Sequence, residues 1–424
     1  MRKIVLRSLA VIVLAALIAV VVAWPRDQFI AASSPAAYAA TPANLARGAY
    51  LARAGDCMAC HTARGGQPYA GGRAIDTPFG RLLAPNITPD REHGIGAWNA
   101  DDFWQALHNG KSKDGRLLYP AFPFTSYTKV TRPDADALFA YLRSVPAQAS
   151  ASPPHELRFP YNQQFMLAGW RLLYFKPAVF TEDKTRTAQW NRGAYLVDGL
   201  GHCIACHSSR NLLGASAGGL SGGMIQTLGW YAPSLTSDAE AGLGSWEVPH
   251  IVDLLHTGVS PRATVFGPMA EVVQQSLQHL SEEDVEAMAV YLKALPKEQV
   301  EPVVMPSGPL VDKVMADGKE LYQKHCSECH GSDGKGLPPH YPPLVGNRAI
   351  TMPESVNAIR IVLNGGFAPG TAGNPRPYGM PPFSHALDDA QVAAVVSYLR
   401  GSWGNQAPPV TPSQVNQHRS VPLD

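Results

Sequence analysis

Three copies of one pentapeptide, Cys57-Met-Ala-Cys60-His61, Cys203-Ile-Ala-Cys206-His207 and Cys326-Ser-Glu-Cys329-His330, use all six cysteines of the 424-residue chain. The C-x-x-C-H spacing is that of covalent haem attachment. Two thiols three positions apart add across the two vinyl groups of a porphyrin, and the adjacent imidazole ligates its iron. Three covalently bound haems c are therefore expected, held by Cys57, Cys60, Cys203, Cys206, Cys326 and Cys329, with His61, His207 and His330 as proximal iron ligands. No cysteine remains for a structural disulfide. Zinc asks for four ligands, and each cluster offers two thiolates and one imidazole with no second pair at finger spacing. A dithiol redox pair does not require the following histidine.

Dividing the length by about 150 residues per domain gives roughly three domains, one for each signature. The formal charge of +1 provides no basic field for nucleic acid, and haem propionates would make the loaded protein more acidic still. Arg2, Lys3 and Arg7 precede an uninterrupted apolar run from Leu9 to Trp24, closed by Pro25, Arg26 and Asp27. The A-x-A site Ala37-Tyr38-Ala39 lies far beyond that run for a signal peptidase, and Ile4 to Trp24 is near the ~20 residues that cross a bilayer. The expectation is a retained anchor in the inner membrane, with the body on the periplasmic face, where bacteria attach c-type haem.

Alignment on the signatures exposes a repeat of about 100 residues. Each copy opens on a helix bearing glycine and an aromatic: Gly48 and Tyr50, Gly193 and Tyr195, Gly318 and Tyr322. Each closes on a helix ending in Tyr-Leu, at Tyr141-Leu142, Tyr291-Leu292 and Tyr398-Leu399. Glycine allows the two backbones to cross closely. Downstream of each histidine stands a proline, Pro85, Pro233 or Pro342, whose carbonyl is placed to accept from the imidazole Nδ1. The expected division is a signal-anchor and linker over 1–40, repeats over 41–150, 188–297 and 311–403, linkers over 151–187 and 298–310, and a tail over 404–424. The stretch Phe165 to Phe175 is too apolar for a solvated linker; core packing, a partner interface and an interfacial helix all fit it.

An electron-passing haem usually has both axial positions filled. Met269, in Phe266-Gly-Pro-Met269, and Met380, in Tyr378-Gly-Met380-Pro, stand before the closing helix in the second and third repeats and are the expected distal ligands. The matching place in the first repeat is Phe122. Met58 sits in the attachment loop and cannot reach the distal face. The first iron is then five-coordinate, or bound by His93, His108 or Lys129, or by an outside methionine such as Met166; His108 is the weaker candidate because it aligns with His256 of the second repeat. Loss of the thioether should lower its potential.

With Trp190-Asn-Arg-Gly-Ala-Tyr-Leu196 and Gly267-Pro-Met-Ala270, these motifs resemble the triheme cytochrome c subunit of bacterial membrane-bound dehydrogenases over nearly the whole chain after its N-terminal segment. The resemblance implies an all-α protein of three tandem class I cytochrome c domains with an N-terminal membrane anchor helix. It implies a subunit that relays electrons from a catalytic partner of flavin, PQQ or molybdopterin type to ubiquinone or a terminal oxidase, and that breaks no substrate bond itself. Many members carry methionine where this chain has Phe122, which points away from a gluconate-type partner. The rival expectation is a haem enzyme whose open first iron binds peroxide or another small ligand.

Overall fold

The computed structural model describes residues 7, 8, 11, 14, 15, 38–237, 242–297 and 305–421. Within each repeat the opening helix crosses the closing helix at backbone contact. Pro42–Ala54 meets Arg132–Leu142, Ala188–Tyr195 meets Glu282–Lys293, and Pro309–His325 meets Asp389–Gly401. A β-carbon placed on Gly48 would lie 2.0 Å from the Ala137 carbonyl oxygen; on Gly193, 1.9 Å from that of Ala287; on Gly318, 2.2 Å from that of Ala394. No side chain fits there, which is the reason for three glycines at equivalent places.

The crossing is locked on its flanks. In the first repeat Arg47 Nε donates to Asp134 at 2.6 Å, and in the second Arg192 grips Asp284 with Nε and Nη2 at 2.7 and 2.6 Å. The third repeat uses aromatic packing instead, with Tyr322, Tyr398 and Trp403 in mutual contact at 5.1–5.5 Å between ring centroids. From crossing glycine to first cysteine the chain runs nine residues in the first repeat (48 to 57), ten in the second (193 to 203) and eight in the third (318 to 326). The longest of these segments contains a π-turn over Leu196–Leu200, which takes up extra chain without breaking the helix.

A further helix packs against each closing helix: Ala100–Asn109, Val248–Thr257 and Val356–Asn364. The first of these starts on a capping box between Asn99 and Asp102 and stops on left-handed Gly110, with φ 56°. In the third repeat Tyr322, Ile359, Leu363, Val392, Val396 and Leu399 form one buried cluster.

Two parts of the expected fold are corrected. The protein is not all-α, because among the described residues the loops between helices carry four small antiparallel sheets. Ala74–Thr77 pairs with Gly80–Leu83, which also pairs with Glu156–Leu157; Ser209–Arg210 pairs with Ser216–Ala217, Gly223–Ile225 with Trp230–Ala232, and Gly366–Phe367 with Gly379–Met380. Long loops leave backbone donors and acceptors that need partners, and short ladders supply them. Secondly, no helix among the described residues is long and apolar enough to cross a membrane. The longest, Pro309–His325, has 17 residues and is charged along its length. The anchor expected over Ile4 to Trp24 is therefore not part of the described fold; apart from residues 7, 8, 11, 14 and 15 that segment lies outside the described residues.

Contacts divide the chain into two compact units, Met1–Ala52 with Cys60–Thr181, and Arg53–Ala59 with Glu182–Asp424. The apolar stretch after the first repeat packs into the first unit. There Gln164–Tyr174 is a helix whose Leu167 and Ala168 cluster with Leu117, while the Gln164 amide accepts from Leu117 N at 2.8 Å and donates to Leu117 O at 3.3 Å. Its opposite face, with Phe165, Leu172 and Leu173, is exposed. The tail also folds: a Thr411–Gln414 capping box starts the helix Pro412–Arg419, which buries Val415 and pairs Arg419 with Asp389 at 2.6 Å.

Gly193→Ala should cost about 1–3 kcal/mol or more, since overpacking meets a backbone carbonyl that cannot move aside. Gly169→Ala, on a helix with open space around the position, should instead be neutral or stabilising by about 0.5–1 kcal/mol. Thermal denaturation of the two variants checks this, and equal effects would defeat the crossing argument.

Candidate haem sites

The three proximal histidines share one geometry. Nδ1 of His61 lies 2.7 Å from Pro85 O, that of His207 2.6 Å from Pro233 O, and that of His330 3.0 Å from Pro342 O. A carbonyl can only accept, so Nδ1 carries the proton and Nε2 keeps its lone pair for a metal. Burial opposes the charged form: it lowers the pKa of His61 and His330 and pushes that of His207 down to about 4, against the carbonyl bonds, which act the other way. Each ring is thus held neutral and oriented.

The six thiols form no disulfide. Burial pushes Cys203 up to about 12 and Cys326 to about 11, and raises Cys206 as well. Thiols held protonated at neutral pH are poor dithiol redox pairs, whose chemistry requires the thiolate. Among the described residues no three His, Cys, Asp or Glu side chains converge as a metal cage.

In the second unit a cavity of about 370 Å³ is lined from the second repeat by Cys203, Cys206, His207 and Met269, and from the third by Cys326, Cys329, His330 and Met380. Its remaining wall is largely apolar, with Leu235, Leu255, Val265 and Ile361. Met269 stands in the first turn of the helix Pro268–Gln275, and Met380 ends the two-residue strand Gly379–Met380. The donor set fits covalently held haem: paired thiols, a neutral imidazole with Nε2 free, a thioether and apolar walls.

The first repeat keeps the proximal half of this arrangement and differs on the other side. Phe122 packs on Tyr127, ring centroids 5.3 Å apart. His108 is buried, stacked on Trp104 at 4.7 Å, with Nδ1 2.8 Å from Thr128 O, which makes it a core histidine. His93 is half-buried in a turn closed by its own N–H donating to Asp90. Met166 lies on the helix docked against Leu117, five residues before Phe122. Arg348, which also lines the cavity of the second unit, is absent from the sequence expectation; it belongs to no motif, and only folding carries it to the second repeat.

The cytochrome c family profile matches residues 45–146 and 315–403. The chain is 40% identical to the gluconate 2-dehydrogenase cytochrome c subunit of Pantoea cypripedii over 390 residues, covering 87% of each. It is 37% identical to the cytochrome c subunit of the quinone-type alcohol dehydrogenase of Gluconacetobacter polyoxogenes over 405 residues, 90% of this chain and 85% of that one. It is also 41% identical over 401 residues to a nicotinate dehydrogenase subunit of Pseudomonas putida, of whose length it spans 33%.

Proposed function

The chain belongs to the family of cytochrome c subunits of dehydrogenases, and on that premise we propose that it carries three covalent haems c and relays electrons from a dehydrogenase catalytic subunit toward ubiquinone or a terminal oxidase. Bound haem supplies a one-electron iron couple. What the chain supplies is attachment by Cys57 and Cys60, Cys203 and Cys206, and Cys326 and Cys329, and proximal ligation by His61, His207 and His330. Met269 and Met380 are the distal ligands.

The observation that carries this reading is the cavity common to the second and third repeats, lined by both attachment pairs, both proximal histidines and both methionines. Two flat cofactors filling it would be neighbours, the arrangement that electron relay needs and that substrate turnover does not. Its apolar walls exclude water, and the Pro233 and Pro342 carbonyls hold each imidazole in one tautomer, so little has to reorganise when charge changes by one electron.

The partner is proposed to be a dehydrogenase of flavin, PQQ or molybdopterin type, since relatives are named as subunits of gluconate, alcohol and nicotinate dehydrogenases. The 40% identity to the gluconate subunit supports keeping that type among them. The periplasmic face of the inner membrane is the proposed location, because c-type haem attachment takes place there. The rival, a catalytic first haem, draws no support from the first repeat, where Phe122 is engaged with Tyr127 and His108 with Thr128.

Intact-mass measurement of the denatured, fully matured chain should show three haem additions; two or fewer would defeat the count. In a redox titration the first haem should have the lowest potential. Phe122→Met should raise it and bring in methionine ligation, while Met269→Ala and Met380→Ala lower the potentials of the other two. A wild type with three methionine-ligated haems would instead place an outside methionine, Met166 foremost, on the first iron.

A further inference from the structure

Arg348 opens the short helix Arg348–Thr351 of the third repeat, yet its guanidinium faces the second. It is 7% exposed, its Nη1 donates to Ser234 O at 3.2 Å, and it lies over the Trp246 ring at 5.6 Å. Ser234 follows Pro233, whose carbonyl holds His207. No carboxylate among the described residues pairs with Arg348, and burial alone acts on its pKa, lowering it to about 10, so the group stays charged at neutral pH.

Two other arginines of the second unit are answered within the protein. The buried Arg400 donates to the carbonyls of Ile350, Met352, Pro353 and Pro408, and the half-buried Arg192 holds Asp284. Arg348 has one carbonyl for five N–H donors. A buried cation without an anion costs several kcal/mol, and the cavity that Arg348 lines is where an anion has to sit. A haem tethered through its vinyl groups to Cys203 and Cys206 brings two carboxylates of its own, on the porphyrin edge away from the thioethers.

We propose that Arg348 is the counter-charge for a propionate of the haem held by the second repeat, so that the third repeat sets the potential of its neighbour's haem. The inference rests on the three-haem reading. A carboxylate near the iron favours the oxidised state by its negative charge. Pairing it with a guanidinium removes much of that bias, raises the potential and keeps the propionate ionised across neutral pH.

The test is spectroelectrochemical titration of the intact holoprotein between pH 5 and 8, with the second-haem wave assigned by its fall in Met269→His. In the wild type that wave should be flat with pH. Arg348→Gln should shift its reduction equilibrium about tenfold toward the oxidised form, ~59 mV for one electron. It should also introduce a pH slope, the potential falling as the propionate deprotonates. Arg348→Lys should keep the wild-type potential and flat profile. An Arg348→Gln protein with potential and slope unchanged overturns the inference while leaving haem ligation intact; a Met269→His protein in which no wave moves overturns the ligation reading instead. Should Arg348→Gln and Arg348→Met both lose the second haem, retention with wild-type potential in Arg348→Lys supports the charge role. Loss of the haem in Arg348→Lys too assigns Arg348 to packing on Trp246 and defeats the proposal.

Discussion

Where the opening helix of each repeat crosses its closing helix, a peptide carbonyl fills the volume that a methyl group would need. Gly48, Gly193 and Gly318 are the residues that permit it, and both walls of each site hang from that contact. The opening helix leads directly into the attachment loop, and the closing helix follows the segment that carries Phe122, Met269 or Met380. A change in helix separation would move both faces of the cofactor slot relative to each other. The spacing from glycine to cysteine varies between repeats, and in the second the π-turn absorbs the longest run without disturbing the crossing.

The second constraint is electrostatic. The slot is apolar enough to keep imidazoles neutral and thiols protonated, so polar groups inside it must find partners in the protein or in the cofactor. Pro85, Pro233 and Pro342 answer the imidazole Nδ1 three times over, a pairing that fixes ring orientation and leaves one nitrogen for iron. Arg348 is answered only in part. A side chain from one repeat placed beside the proximal loop of another couples the two sites physically, beyond their common cavity.

The three repeats are one frame with different fittings. The first two clasp their helices with an Arg–Asp pair and the third with a cluster of Tyr322, Tyr398 and Trp403. The second and third present a thioether to their cavity, whereas in the first the aligned Phe122 packs on Tyr127. Since axial ligation sets much of a haem's potential, such differences allow one architecture to hold sites of unequal energy, as an electron relay requires.

Much of this was legible in the sequence, because covalent chemistry and close packing leave signatures in order and spacing. C-x-x-C-H marks the proposed attachment and proximal residues, the crossing glycines recur where no side chain fits, and the prolines recur at the carbonyl that meets each imidazole. The Thr411-Pro-Ser-Gln414 capping box was present too, and marks the start of a helix in the polar stretch set apart above as a tail. The four small sheets left a weaker trace, since strands of two to four residues are set by which loops meet and not by a local pattern of two. Only the tertiary structure decided that Met269 and Met380 line one cavity and that His108 belongs to the core. It alone brought Arg348 to Ser234, 114 positions away. Those contacts join residues whose separation along the chain carries no period, so only the packed backbone could bring them together.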